Sequence, residues 1–400
     1  MSSRKLLLAA AFLGLACGNG SGSGGEKAGG NGGQTGAMAG GSAGSVATSG
    51  GASAAGAGGV AGTMSAGTAG QAEVGSGGAA GSGAAAGSGG SAGTAGGGGA
   101  GGAAPSLKLP IERGALDVLE FGDISFAVNP SQGARIVSFK LGADELLTGT
   151  TENANFYGST LWTSPASDWV VPGTFVPPPI VDSNPYTTSV SDAGVITATS
   201  ATSTANGKQF VVKKVFRADP SKSAIVIDYG LQNTGSGPFR LSHWEVTRVF
   251  PNGLMFFTSG SQTKLDFLKQ PVQVSQAGGY TWYDNTTHQM GKGESKGGTD
   301  SPGGFIAQVA PHAQGDLLFI KAFEPVAAAA APPDHHPIEF YCNDPHTYVE
   351  LEDHSAYSEI APGATYTRTV TWYLRRLPAG TDRNAGSSAL VAAVMSALGK

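Results

Sequence analysis

Residues 18–104 of this 400-residue chain are almost wholly Gly, Ala, Ser and Thr, with no aromatic residue and only Glu26, Lys27 and Glu73 charged. Such a stretch buries too little apolar area to offset chain entropy, so it predicts a disordered tether rather than part of a core. Gly-rich coil of this length reaches on the order of 50 Å, and the lack of a strict Gly-X-Y period excludes collagen. Whole-chain averages, with 64 glycines and 13% charged residues, therefore mix two materials. The fold has to be read from Pro105 onward.

Ahead of the tether, Met1 to Cys17 carries Arg4 and Lys5, an apolar run from Leu6 to Leu15, and Ala16-Cys17. This reads as a signal peptide, too short to span a membrane. Its ending resembles a bacterial lipobox with Cys17 as the lipidated residue, although Gly14 stands where that motif usually has Leu; plain secretion is the alternative. Gly18 and Asn19 lack the Asp associated with inner-membrane retention, which points to the outer membrane or cell surface, with attachment through the lipid alone. The other cysteine, Cys342, has no partner within the domain, so a core rather than a disulfide must hold the fold. A net charge of -5 and a pI near 5.8 leave no basic footprint for nucleic acid. No cofactor is called for, and the chain is read as a monomer.

From Leu107 to about Pro378 short strands alternate with turn residues. The clearest strands are Phe210 to Phe216, Ala224 to Leu231, Leu317 to Phe323, Ile338 to Cys342 and Tyr366 to Leu374. Asn233-Thr-Gly-Ser-Gly-Pro, Asn252-Gly253 and Ala361-Pro-Gly separate strands as turns, since Gly and Asn accept positive φ and Pro fixes its own. Helical periodicity is nearly absent. The expectation is an all-β, two-sheet antiparallel sandwich over 105–378, then a tail, 379–400, with a possible short helix at Ser388 to Leu398.

One stretch carries unusual chemistry: Leu241-Ser-His-Trp-Glu-Val-Thr-Arg-Val249. Strand alternation puts His243, Glu245 and Thr247 on one face and Trp244, Val246 and Arg248 on the other. A wet polar face, a core Trp and a paired Arg would equally suit the pattern.

The domain opens with Val128-Asn-Pro-Ser-Gln-Gly-Ala-Arg-Ile-Val-Ser-Phe-Lys-Leu-Gly-Ala-Asp-Glu-Leu-Leu147 and closes with Tyr348-Val-Glu-Leu-Glu352, Ile360-Ala-Pro-Gly-Ala-Thr-Tyr366 and Val370-Thr-Trp-Tyr-Leu374. These segments resemble the galactose mutarotase-like (aldose 1-epimerase-like) superfamily. Trp162 to Pro165 and Trp244 to Val249 are similar to motifs of an uncharacterised bacterial branch of it. The resemblance implies a large supersandwich with a sugar site in the concave face of one sheet. It further implies a Glu that removes the anomeric proton and a His that protonates the ring oxygen. Glu350 matches the acidic position best, with Glu352 as the alternative; His243 matches the acid, with Glu245 as a further candidate. The spacing at His243 is one residue short of the epimerase pattern, and the early Asn-Arg motif is not visible.

Asn155, Tyr157, Trp162 and Trp169 lie among hydroxyl residues and, with Trp244 and Arg248, form the expected sugar-binding wall, since aromatic faces stack on sugar C–H faces. The competing reading has these aromatics plugging one end of the sandwich. A metal site is not expected from His335, His336, His346 and His354, because adjacent histidines point apart in an extended chain and three or four ligands must converge. Ser159 and Ser164 lie outside a nucleophile elbow, and Cys342 reads as core. Three functions remain open: a tethered carbohydrate-binding domain, a sugar epimerase, or a structural or adhesive surface protein.

Overall fold

A computed structural model describes residues 105–169 and 175–400. The signal segment, Cys17 and the Gly-rich tether lie outside the described residues. Nine strands position the site: β1 (Ser159–Ser164), β2 (Lys208–Asp219), β3 (Ala224–Asn233), β4 (Phe239–Val249), β5 (Ser295–Thr299), β6 (Leu317–Phe323), β7 (Ile338–Cys342), β8 (Val349–His354) and β9 (Thr365–Arg376).

They fall into two antiparallel sheets, one of twelve strands and one of eleven. The first, the site sheet, runs β1-β4-β8-β7-β5 through its centre, and the second runs β6-β9-β3-β2. The all-β sandwich expected from the alternating patterns is therefore what forms. Trp372 on β9 shows why. It alternates with polar Thr371, so one face of β9 points to the core, where Trp372 meets Phe139 of the site sheet at 5.7 Å and Phe319 of β6 at 5.1 Å. Both Trp372 and Phe139 are fully buried.

Register decides which residues share a face. Arg248 of β4 stands opposite Glu350 of β8, and Glu245 opposite Asp353. Tyr341 of β7 pairs with Glu350, and Lys296 of β5 with Tyr341. Trp244, Arg248, Glu350, Glu352, Glu339, Tyr341 and Lys296 thus occupy the outer face of the site sheet, while His243, Glu245 and Asp353 look inward between the sheets. Close packing at Gly297 fixes the β5 edge: a Cβ there would lie 2.4 Å from Phe340 Cζ.

The expected C-terminal helix forms over Ser388–Leu398, with the Ser387 hydroxyl accepting from Leu390 N at 3.3 Å and Gly399 closing it at φ 70°. It is an integral part of the sandwich. Leu390 and Val394, one turn apart, are fully buried with Phe256, Trp282, Phe305, Leu318 and Ile320 of the second sheet.

Candidate functional site

On the outer face of the site sheet, a cleft of about 100 Å³ is lined by Phe156, Trp162, Phe175, Leu268, Glu294, Lys296, Tyr341, Tyr348 and Glu350. Its floor is a ladder of charges. Arg248 Nε donates to Glu350 Oε1 at 2.8 Å, and the guanidinium is covered by the rings of Trp162 and Phe156, 5.1 and 5.3 Å away. Lys296 Nζ lies 2.8 Å from Glu339 and 2.9 Å from Glu352, whose carboxylate also accepts from Trp244 Nε1 at 2.7 Å. Burial pushes Glu352 up to about 8, while Glu339, although equally buried, is held well below the usual carboxylate range by the Lys296 ammonium. The lysine is raised in turn, because its two carboxylates outweigh the burial that opposes its charge.

Of the sequence candidates, Glu350 and Trp162 line the cleft, and Arg248 lies beneath it holding Glu350. Glu352 shares that face but is fully buried under Lys296. Trp244 and Trp169 belong to a packed aromatic cluster rather than to a sugar-facing wall. Trp244 is sandwiched between Trp169, 5.7 Å and 20° away, and His354, 5.1 Å and 25° away. Tyr157 is also withdrawn: its hydroxyl donates to Gln132 at 2.5 Å and its ring lies under Arg135 at 4.5 Å. Asn155 is exposed outside the lining, its carbonyl accepting from Arg135.

The pairing of His243 with Glu350 requires correction, because the sheet stands between them. His243 is fully buried in the interior, its Nδ1 3.1 Å from Ser355 Oγ and its ring 4.9 Å from Tyr366. Burial, reinforced by Arg368, lowers it to about 3, so it is neutral and out of reach of a cleft ligand. Glu245 is buried beside it in an inter-sheet ion layer. Lys321 Nζ lies 3.1 Å from Glu245 and 2.8 Å from Asp353, and Arg368 donates to Asp353 at 2.8 Å. Burial raises Glu245 to about 7, whereas Lys321 and Arg368 overcome the same effect at Asp353 and hold it at about 2.

Contrary to the expectation from adjacent histidines, His335, Glu339 and His354 do converge, with candidate ligand atoms within 4.8 Å of one another. His336 N and Lys296 already donate to Glu339, at 3.0 and 2.8 Å. Ala166 N donates to His335 Nε2 at 3.4 Å, leaving the proton on Nδ1, which faces Glu339 at 3.3 Å. Those donors occupy Glu339 and His335 and join them to the charge ladder, while His354 Nε2, 3.4 Å from Glu339, has no hydrogen-bond partner among the described residues. Cys342 is core, its thiol pushed up to about 12 by burial.

Sequence reasoning missed Lys296, Glu294, Tyr341 and Tyr348. Alternation in Ile338-Glu-Phe-Tyr-Cys342 signals that Glu339 and Tyr341 share a face, but nothing local says that this face opens to a cleft.

No family model matches the chain, and no curated protein matches it either. Among solved structures it is similar to a candidate aldose 1-epimerase from Escherichia coli K12, at 12% identity over 64% of this chain and 97% of that one, with a TM-score of 0.45. A galactose mutarotase-like protein from Lactobacillus casei aligns at 10% identity over 65% and 100% of the two chains, with a TM-score of 0.43. The aldose epimerase homologue from C. elegans aligns at 8% identity over 64% and 97%, with a TM-score of 0.42.

Proposed function

We propose that the cleft binds a carbohydrate. The observation that carries this reading is the joining, in one cleft, of aromatic walls from Phe156, Trp162, Tyr341 and Tyr348 with Glu350, whose carboxylate is oriented by Arg248 Nε at 2.8 Å. Rings meet the apolar C–H face of a sugar, and a fixed carboxylate accepts from its hydroxyls. With Cys17 read as a lipidation site and residues 18–104 as a tether, the binding domain would be displayed at the cell envelope.

Epimerisation is the second reading, because Glu350 offers a base in the same cleft. Its acid is the weak point. His243 is on the reverse face, and Lys296, the cationic donor in the lining, is held as an ammonium by Glu339 and Glu352 and gives up its proton reluctantly. Binding without fast turnover is therefore favoured.

NMR titration of the purified chain with hexoses and short glycans, following ligand broadening and anomer exchange together, tests both readings. Phe156→Ala is expected to weaken binding by about 1–3 kcal/mol, the loss typical of a stacking aromatic. Unchanged affinity would remove the cleft from the binding site. Faster anomer exchange that disappears in Glu350→Gln would establish the epimerase instead.

A further inference from the structure

The cleft is lined by two carboxylates, Glu294 and Glu350, and two more, Glu339 and Glu352, lie in its floor; among the described residues, Arg248 and Lys296 are the cations paired with these four. Both cations already face carboxylates, although Arg248 Nη1 and Nη2 make no hydrogen bond among the described residues and are buried. Arg248 is fully buried, bonded through Nε to Glu350 and roofed by Trp162, Phe156 and Tyr348. Lys296 is shared between Glu339 and Glu352. Lys269 and Lys292, on the neighbouring loops, are exposed and outside the lining. Glu294 is half-buried in the wall and makes no ion pair among the described residues.

Among the described residues an incoming carboxylate would therefore meet Glu294 and Glu350 with no exposed unpaired cation to receive it, because the unbonded Nη1 and Nη2 of Arg248 are buried, whereas an ammonium would meet two acceptors. We infer that Glu294 and Glu350 make this cleft selective for a sugar with a free ammonium group over its neutral and acidic counterparts. This rests on the carbohydrate reading above and goes further by naming the ligand's charge. Glu294 is the specificity-determining residue, since Glu350 is shared with Arg248 and Glu294 is not.

Four probes of one ring size separate the possibilities: the free hexosamine, its N-acetyl derivative, the parent hexose and the hexuronate, each in gluco and galacto forms, titrated calorimetrically into the full chain at low salt and neutral pH. The hexosamine is expected to bind about tenfold more tightly than the N-acetyl form, the scale of one charge-assisted hydrogen bond, and the hexuronate most weakly. Added salt should narrow the gap, as screening of a half-exposed carboxylate requires. Glu294→Gln is expected to bring hexosamine and hexose affinities to within about twofold of one another. Hexose binding with no preference for the ammonium, or a preference that survives in Glu294→Gln, would overturn the inference and leave the carbohydrate reading standing. Silence from every probe would overturn both.

Discussion

Glu352 has no cation of its own: Lys296, its partner at 2.9 Å, lies 2.8 Å from Glu339, and Arg248 serves Glu350. Three carboxylates sharing two cations leave one that holds its proton, and burial puts Glu352 at about 8 against an ordinary 4.5. The folded state then binds a proton that the unfolded chain releases, so this contribution is complete below pH 4.5 and is lost as pH rises through 8. Glu245, raised to about 7 between the sheets, acts in the same direction. Lys214, which burial lowers to about 7, acts in the opposite direction above neutrality. The informative quantity is thus the difference between wild type and Glu352→Gln. Urea unfolding at pH 6.5 and 8.5 is expected to show the variant gaining on wild type with rising pH, by up to about 1.4 kcal/mol per pH unit. A difference that stays flat, or runs the other way, would mean that Glu352 is ionised throughout.

Among the elements, the C-terminal helix is where the sequence boundary at Pro378 cuts through a packed unit. Leu390 and Val394 fill the outer face of the second sheet beside Trp282 and Phe305, so Leu390→Ala is expected to cost about 2–5 kcal/mol in chemical denaturation. A cost below 1 kcal/mol would show that the helix does not contribute to the core. The helix itself was legible, because Ser387 and Gly399 bracket an apolar run; its docking was not, since an eleven-residue helix shows nothing of its partner surface. Strand β4 shows the same limit. Alternation sorts His243 from Trp244, but every residue from Leu241 to Val249 is buried, so the usual signature of one wet and one dry face is missing. Which of the two faces holds the site depends on the pairing of Arg248 with Glu350 across β4 and β8, a register set by residues 102 apart. Glu350 itself is singled out only through the family resemblance, in the acidic strand before the Ala361-Pro-Gly turn. The error lay in pairing it with His243, which lies on the opposite face of the sheet from Glu350.

For the whole molecule, the consequence is that two titratable systems occupy opposite faces of one sheet and do different work. The inner layer of Lys321, Glu245, Asp353 and Arg368 ties the two sheets together, with His243 packed beside it. Removing one member of such a buried network is costly because its partners are left desolvated. The outer ladder from Arg248 to Glu339 meets the cleft. Function and stability should therefore separate by face. His243→Asn is expected to lower the unfolding midpoint, because Ser355 and the His243 cavity lose their fit, while sugar affinity in the cleft stays within about twofold of wild type. Glu350→Gln should do the reverse at the cleft, reducing affinity by about tenfold or more through the loss of a charged acceptor. Parallel titrations and melts of the two variants decide the matter. If His243→Asn weakened binding as much as Glu350→Gln while remaining folded, the two faces would be coupled through the sheet, and the ligand's chemistry would have to be sought between the sheets as well as above them.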